Sequence, residues 1–197
     1  MLKINEIFYS IQGEGVFAGT PMVFIRFSGC NLRCSFCDTK HESFISMKEE
    51  EILEFIEKLI PPLPLSRPER VCLTGGEPFI QNFLELADLL VGANFQIHIE
   101  TNGMLYTPKP WWLTWISVSP KAPLKDYSFA SEIKWLIGKG FEWYEEEIQK
   151  VPFHVEQRLQ PIWDEDYEKN LKTAIEKVKL HPKLCLSVQL QRYLKIR

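Results

Sequence analysis

Three of the five cysteines, Cys30, Cys34 and Cys37, fall within eight consecutive positions of the stretch "FSGCNLRCSFCDTKH", residues 27–41. Thiolates are metal ligands and nucleophiles, and the C-x3-C-x2-C spacing lies directly after a predicted strand that ends in Ser28-Gly29. A loop there lets three thiolates converge on one metal centre, whereas a strand would send successive side chains to opposite faces; Gly29 permits the tight turn. Two chemistries fit. With His41 four residues after Cys37, three cysteines and one histidine would complete a closed tetrahedral zinc site. Alternatively, a cubane of four irons and four sulfides normally takes four thiolates, so three leave one iron with an open position. An odd, clustered cysteine count does not suit a disulfide framework.

A second motif, "TGGEP" (74–78), follows the predicted strand 70–73; adjacent glycines allow backbone to approach closely. Further predicted strand ends carry "ETNG" (100–103), "SPK" (119–121) and "LQPIWDE" (159–165). Taken singly, each reads as ordinary turn punctuation. Cys72 and Cys185 lie in apolar strand patterns, where a free thiol behaves as a small hydrophobe, and are expected in the core.

The elements that must position these groups alternate between β and α patterns, which predicts βα units and a largely parallel sheet. "KINEIFYS" (3–10) and "MVFIRFSG" (22–29) read as strands around the turn "GEGVFAG". Helix 47–60 is predicted from a capping box, Ser46 with Glu49, and an apolar face of Ile52, Phe55, Ile56, Leu59 and Ile60, ended by Pro61. "PPLPLSRPE" (61–69) is an extended connector to the strand "RVCLTG". A second helix is expected over 79–91, stopped by Gly92, with later helices near 141–150 and 165–179. Segments 95–100, 115–119, 132–137, 153–159 and 183–190 complete the predicted strands. "PWWLTW" (110–115) is expected to be buried packing, with a pocket stack or a subunit interface as the other uses. This order of elements implies an open sheet or partial barrel, in which strand ends carry the chemistry.

A chain of 197 residues, 45% hydrophobic, suits a single domain spanning 1–197. Its longest apolar runs fall short of the roughly 20 residues a bilayer span needs, and "MLKINEIFYSIQGEG" has no signal-peptide pattern, so a soluble, cytoplasmic protein is expected. A net charge of −3 gives no footprint for nucleic acid, and the basic tail "QRYLKIR" is expected to be a solvated end.

The cysteine spacing and the "GGE" segment resemble the radical S-adenosylmethionine superfamily. That resemblance implies a partial, modified TIM-like (β/α) barrel, a 4Fe-4S cluster on Cys30, Cys34 and Cys37, and S-adenosylmethionine at the unique iron, cleaved by one electron to a 5′-deoxyadenosyl radical. Gly75, Gly76 and Glu77 would hold the methionine part of the cofactor, and Ser119, Pro120, Lys121, Gln160, Pro161, Ile162 and Trp163 its adenosine. "IQGEG" (11–15), Arg26 and "CDT" narrow the likeness to the 7-carboxy-7-deazaguanine synthase family, lyases of queuosine biosynthesis in the tRNA modification pathway. Its substrate is 6-carboxy-5,6,7,8-tetrahydropterin, which would meet Ile11, Gln12, Gly13, Glu14, Thr74, Glu100 and Asn102. Arg26 would grip the substrate carboxylate. Thr39 would touch Mg2+. Where the family's tail resembles Q-T-H-K, this chain reads Gln189-Leu190-Gln191-Arg192, so Gln191 would replace a histidine with a group that cannot carry a proton; the terminal carboxylate of Arg197 is a further expected contact. The resemblance also implies a homodimer and an external one-electron donor such as flavodoxin or ferredoxin. Glycyl-radical activating enzymes share the cysteine spacing, but "IQGEG", Arg26 and "CDT" argue against them; a zinc-stapled binding module is the non-catalytic alternative.

Overall fold

The computed structural model describes residues 1–60, 70–106 and 114–197. The expected connector 61–69 and residues 110–113 of the tryptophan-rich stretch lie outside the described residues. In chain order the elements are β1 (Leu2–Ile11), β2 (Pro21–Phe27), β3 (Ile45–Met47), α1 (Glu49–Leu59), β4 (Arg70–Gly75), α2 (Leu84–Gly92), β5 (Gln96–Thr101), β6 (Thr114–Val118), β7 (Glu132–Ile137), α3 (Tyr144–Glu147), β8 (Glu156–Pro161), α4 (Tyr167–Leu180), β9 (Leu184–Leu186) and α5 (Leu190–Leu194). Among the described residues the strands form one sheet, ordered β3-β1-β2-β4-β5-β6-β7-β8-β9. Every pairing from β2 to β9 is parallel, while β1 is antiparallel to both β2 and β3. The result is an unclosed, partial barrel.

Strand parity divides the labour. Val23, Ile25 and Phe27 of β2, Val71 and Leu73 of β4, and Ile97 and Ile99 of β5 pack in one core with Ile52 and Ile56 of α1 and Leu86 and Leu90 of α2. Ile133, Trp135 and Ile137 of β7 and Leu159 of β8 pack with Ala174 of α4 in a second core. Because side chains alternate along a strand, the residues between these face the concave side. There lie Phe24 and Arg26, Cys72 and Thr74, His98 and Glu100, Glu132 and Lys134, and Arg158 and Gln160. Helix packing thus aims the polar residues inward.

Local corrections to the sequence reading have identifiable causes. Ser46 does not cap α1; it pairs with Lys3 in the edge strand β3. The helix starts at Glu49, and the Glu51 carboxylate accepts the Lys48 amide at 2.8 Å. Phe55 is exposed rather than part of the buried face. The expected helix 79–91 begins only at Leu84, after a 3-10 turn over Pro78–Ile80. The chain is held extended at Gln81, whose side-chain amide bonds the backbone of Lys3 and Ser28 between β1 and β2. Gly92 stays helical, and Asn94 takes the left-handed turn (φ 65°). β8 starts at Glu156, leaving Phe153 exposed. The expected strand 183–190 shrinks to Leu184–Leu186 before α5. Cys185, on that edge strand, is exposed, so it is not a core residue; Cys72 is fully buried.

A close approach of two backbone segments lies where β4 meets the cysteine loop. A Cβ added at Gly76 would stand 1.6 Å from the Gly29 carbonyl oxygen. Gly76→Ala is therefore expected to cost about 3 kcal/mol, lowering the thermal midpoint by roughly 6–12 °C. Calorimetry giving the parental midpoint would refute this packing constraint.

Candidate active site at the strand ends

The cysteine loop is closed at its neck. The Ser28 hydroxyl and the Gly29 amide both donate to the His41 carbonyl, at 2.5 and 2.8 Å, and Gly29 adopts φ 87°, a conformation that suits a residue without a side chain. What His41 contributes here is its main chain. Inside the neck, the Asn31 side-chain oxygen accepts a 2.8 Å hydrogen bond from the side-chain amide of Asn102, which ties the loop to the end of β5. Burial pushes the thiols of Cys30 and Cys34 up. Among the described residues, a set of three ligand atoms within 4.8 Å of one another is Cys72, His98 and Glu100; the three loop thiols line one cavity, and three thiolates would leave one iron of a four-iron cluster open.

At the end of β4, Gly75 has φ 113°, and a Cβ there would meet the Phe27 backbone at 2.5 Å. Both glycines of the "GGE" segment are thus required by protein packing. Glu77 is 1% exposed and does not reach the cavity wall. Its carboxylate accepts from the Thr101 hydroxyl (2.7 Å), the Asn102 amide (2.8 Å) and the Phe79 amide (3.2 Å), and burial raises its pKa. It therefore fastens β4 to β5.

The centre of the site is a buried network. The 12–20 turn crosses the concave face: the Gly15 amide donates to Ser187 beyond β9, Val16 to Glu132, and Gly13 accepts from Leu190. This brings Glu14 against Lys134, whose Nζ lies 2.7 Å from Glu14 and 3.2 Å from Glu100. Glu14 also accepts from Gln160 (2.9 Å), Gln189 (2.9 Å) and Gln191 (3.2 Å). Glu100 accepts from Gln12 (3.2 Å) and Thr74 (3.0 Å). Burial alone would push Glu14 up, but the Lys134 charge and these donors hold it down to about 2. Glu100 is likewise lowered by Lys134 against the effect of burial. Burial works against the Lys134 charge, and the two carboxylates overcome it, so its pKa is raised.

Arg26 sits at the rim. It donates to the Thr39 hydroxyl at 3.1 Å, approaches Glu6 at 3.3 Å and lies over the Phe8 ring. Thr39 in turn donates to Asp38 at 3.2 Å. The basic tail is not merely solvated: Arg192 pairs with Asp38 and Arg197 with Glu6, each at 3.5 Å, drawing α5 over the cavity. Lys121 is half-buried near the thiols, donates to the Ser119 carbonyl at 2.7 Å, and has its pKa lowered to about 8, chiefly by desolvation.

One cavity gathers nearly all the residues singled out from sequence. Cys30, Cys34, Cys37 and Thr39 line it with Gly75, Gly76, Ser119 and Lys121. The wall continues through Ile11, Gln12, Gly13, Glu14, Arg26, Thr74, Glu100 and Asn102. Gln160, Pro161, Ile162, Trp163, Gln191 and Arg197 complete the expected set, and only Glu77 and Pro120 of that set stand behind the wall. Lys134 and Gln189 were missed. A lysine inside "EIKWLI", an otherwise nearly unbroken apolar run, was the available signal, since such a residue is buried with a counter-charge or not at all.

Residues 24–151 match the family described as "Radical SAM superfamily". The chain is 41% identical over its full length, and that of the relative, to the 7-carboxy-7-deazaguanine synthase of Bacteroides thetaiotaomicron. It is 37% identical to that of Burkholderia multivorans, with 98% of each chain covered. The crystal structure of QueE from Escherichia coli superposes with a TM-score of 0.78 at 30% identity, over 96% of this chain and 94% of that one. The cysteine loop, the glycine turn and the full-length likeness agree, and the chain belongs to the 7-carboxy-7-deazaguanine synthase family of the radical S-adenosylmethionine superfamily.

Proposed function

We propose that this protein is a radical S-adenosylmethionine lyase that converts 6-carboxy-5,6,7,8-tetrahydropterin to 7-carboxy-7-deazaguanine with loss of ammonia, in queuosine biosynthesis. The observation that carries the reading is the meeting of two unlike walls in one cavity: three loop thiols on one side, and Glu14, Glu100 and Arg26 on the other. When bound, a 4Fe-4S cluster and S-adenosylmethionine supply a primary carbon radical able to take hydrogen from C6 of the pterin. Cys30, Cys34 and Cys37 would hold the cluster. Gly75 and Gly76 would admit the cofactor's methionine part, and Ser119, Lys121 and Gln160 to Trp163 its adenosine. Glu77 would act from behind, by fixing the turn.

The chain's own residues then bind and orient the substrate. Both oxygens of Glu14 already receive N–H donors, two of them from the short segment of Gln189 and Gln191. Those amides stand where the N–H groups of a pterin edge would donate, and we assign them to yield to the substrate. Lys134 keeps both carboxylates ionised, so that they accept rather than donate. Arg26 grips the substrate carboxylate. Mg2+ is assigned to Thr39 and Asp38, oxygen donors of the kind a hard cation selects; its binding would require Arg26 to release the Thr39 hydroxyl. We further propose a single-domain, cytoplasmic homodimer served by flavodoxin or ferredoxin.

Anaerobic turnover of the carboxylated tetrahydropterin with dithionite and S-adenosylmethionine is the direct test. Formation of 5′-deoxyadenosine without deazaguanine product would remove the substrate assignment. Cys34→Ala is expected to abolish iron binding and activity together. Arg26→Ala should retain iron and raise KM roughly 10- to 100-fold, the worth of a charged hydrogen-bonded pair; an unchanged KM would contradict its role. Lys134→Met should lower stability by about 3–5 kcal/mol. It should also shift the acid limb of kcat/KM to higher pH, because burial, which raises Glu14 and Glu100, is then no longer opposed by a cation. A profile that superimposes on the parent's would exclude this role for Lys134.

A further inference from the structure

Next to the substrate wall, on the same concave face, lie two buried side chains that the proposed reaction does not use, Cys72 and His98, beside Glu100, which it does. Cys72 on β4 and His98 on β5 are register partners, and Glu100 follows His98 by two residues, so all three side chains point inward. One ligand atom from each lies within 4.8 Å of the other two. Cys72 is 0% exposed and His98 1%. Neither ring nitrogen of His98 has a hydrogen-bond partner. A neutral imidazole holds one donor and one acceptor, and leaving either unpaired in the interior is a desolvation cost that a bound partner would remove. The surroundings offer little relief: the ring of Phe17 stands edge-on to His98 at 5.6 Å, and Met22 and Phe24 pack with Cys72. Ser117, the register partner of Glu100 on β6, holds another buried hydroxyl without a partner.

We propose that Cys72, His98 and Glu100 form a second metal site, distinct from the cysteine loop, for a borderline divalent cation of the zinc type. The donor set decides the ion. Thiolate, imidazole and carboxylate are the ligands zinc takes, whereas magnesium and calcium select oxygen. Zinc also stands above ferrous iron in general affinity for such donors. The charges balance locally: Cys72 binds as thiolate, its proton passing to solvent, and with ionised Glu100 it offsets the two charges of the ion. Lys134 keeps Glu14 as its own counter-charge. Glu100 Oε2 receives a hydrogen bond from Thr74, which leaves a lone pair for the metal. An ion here satisfies the buried imidazole and fixes Glu100, the residue shared with the substrate wall. The inference stands independently of which substrate that wall binds.

The test uses the chain with its cluster reconstituted anaerobically, so that the loop cysteines are occupied. After exposure to one equivalent of zinc chloride and desalting, elemental analysis should find about four irons and one zinc per chain. The zinc absorption edge should show one sulfur neighbour at about 2.3 Å and nitrogen or oxygen neighbours at about 2.0–2.2 Å. Cys72→Ala and His98→Phe should each reduce retained zinc at least tenfold with iron unchanged, while Cys185→Ala retains it. Failure of the parent chain to hold zinc would overturn the proposal. So would two or more sulfur neighbours, or full zinc retention in both variants. Should either variant misfold, the edge spectrum of the parent decides alone.

Discussion

Lys134 is a cation placed in the interior of a sheet strand, 3% exposed in its side chain, with Glu14 and Glu100 as its counter-charges. A charge removed from water is tolerated only when paired and hydrogen-bonded. That requirement organises the concave face. Glu14 belongs to the turn after β1, Glu100 to β5 and Lys134 to β7, so satisfying one ammonium group draws three distant parts of the chain together. The turn that delivers Glu14 also bonds to Ser187 and Leu190, near β9. An open sheet, which has no hydrogen-bonded seam to close it, is thereby braced across its interior.

The cysteine loop depends on a different constraint, the near-contact of backbones. Gly76 and Gly29 approach so closely that no side chain fits between them, and the loop neck is held by hydrogen bonds to one carbonyl. Glu77, Thr101, Asn102 and Asn31 continue this bracing from β4 through β5 to the loop. Residues at a strand end can therefore be essential to a reactive centre without touching what binds there. Glu77 is the clearest case, with both of its carboxylate oxygens hydrogen-bonded to protein donors.

Much of the site was legible because the chemistry is local in sequence. Three cysteines in one loop, paired glycines after a strand and the "IQGEG" turn each sit within a few residues, and hydrophobic alternation located the strands that carry them. Helix boundaries were less legible where a side chain replaced the expected backbone partner, as Gln81 does between β1 and β2. The edge strand β3 and the short α5 were missed because such brief segments have too few residues for a period to register.

The sequence by itself determined the family, the parallel α/β architecture and the thiol, amide and carboxylate groups at the strand ends, because each of those rests on spacing along a short stretch of chain. Only the tertiary structure decided the pairing of Lys134 with Glu14 and Glu100, the withdrawal of Glu77 behind the wall, and the meeting of Cys72 with His98. Those depend on which strands become neighbours and in what register, and register is set by packing between segments far apart in sequence.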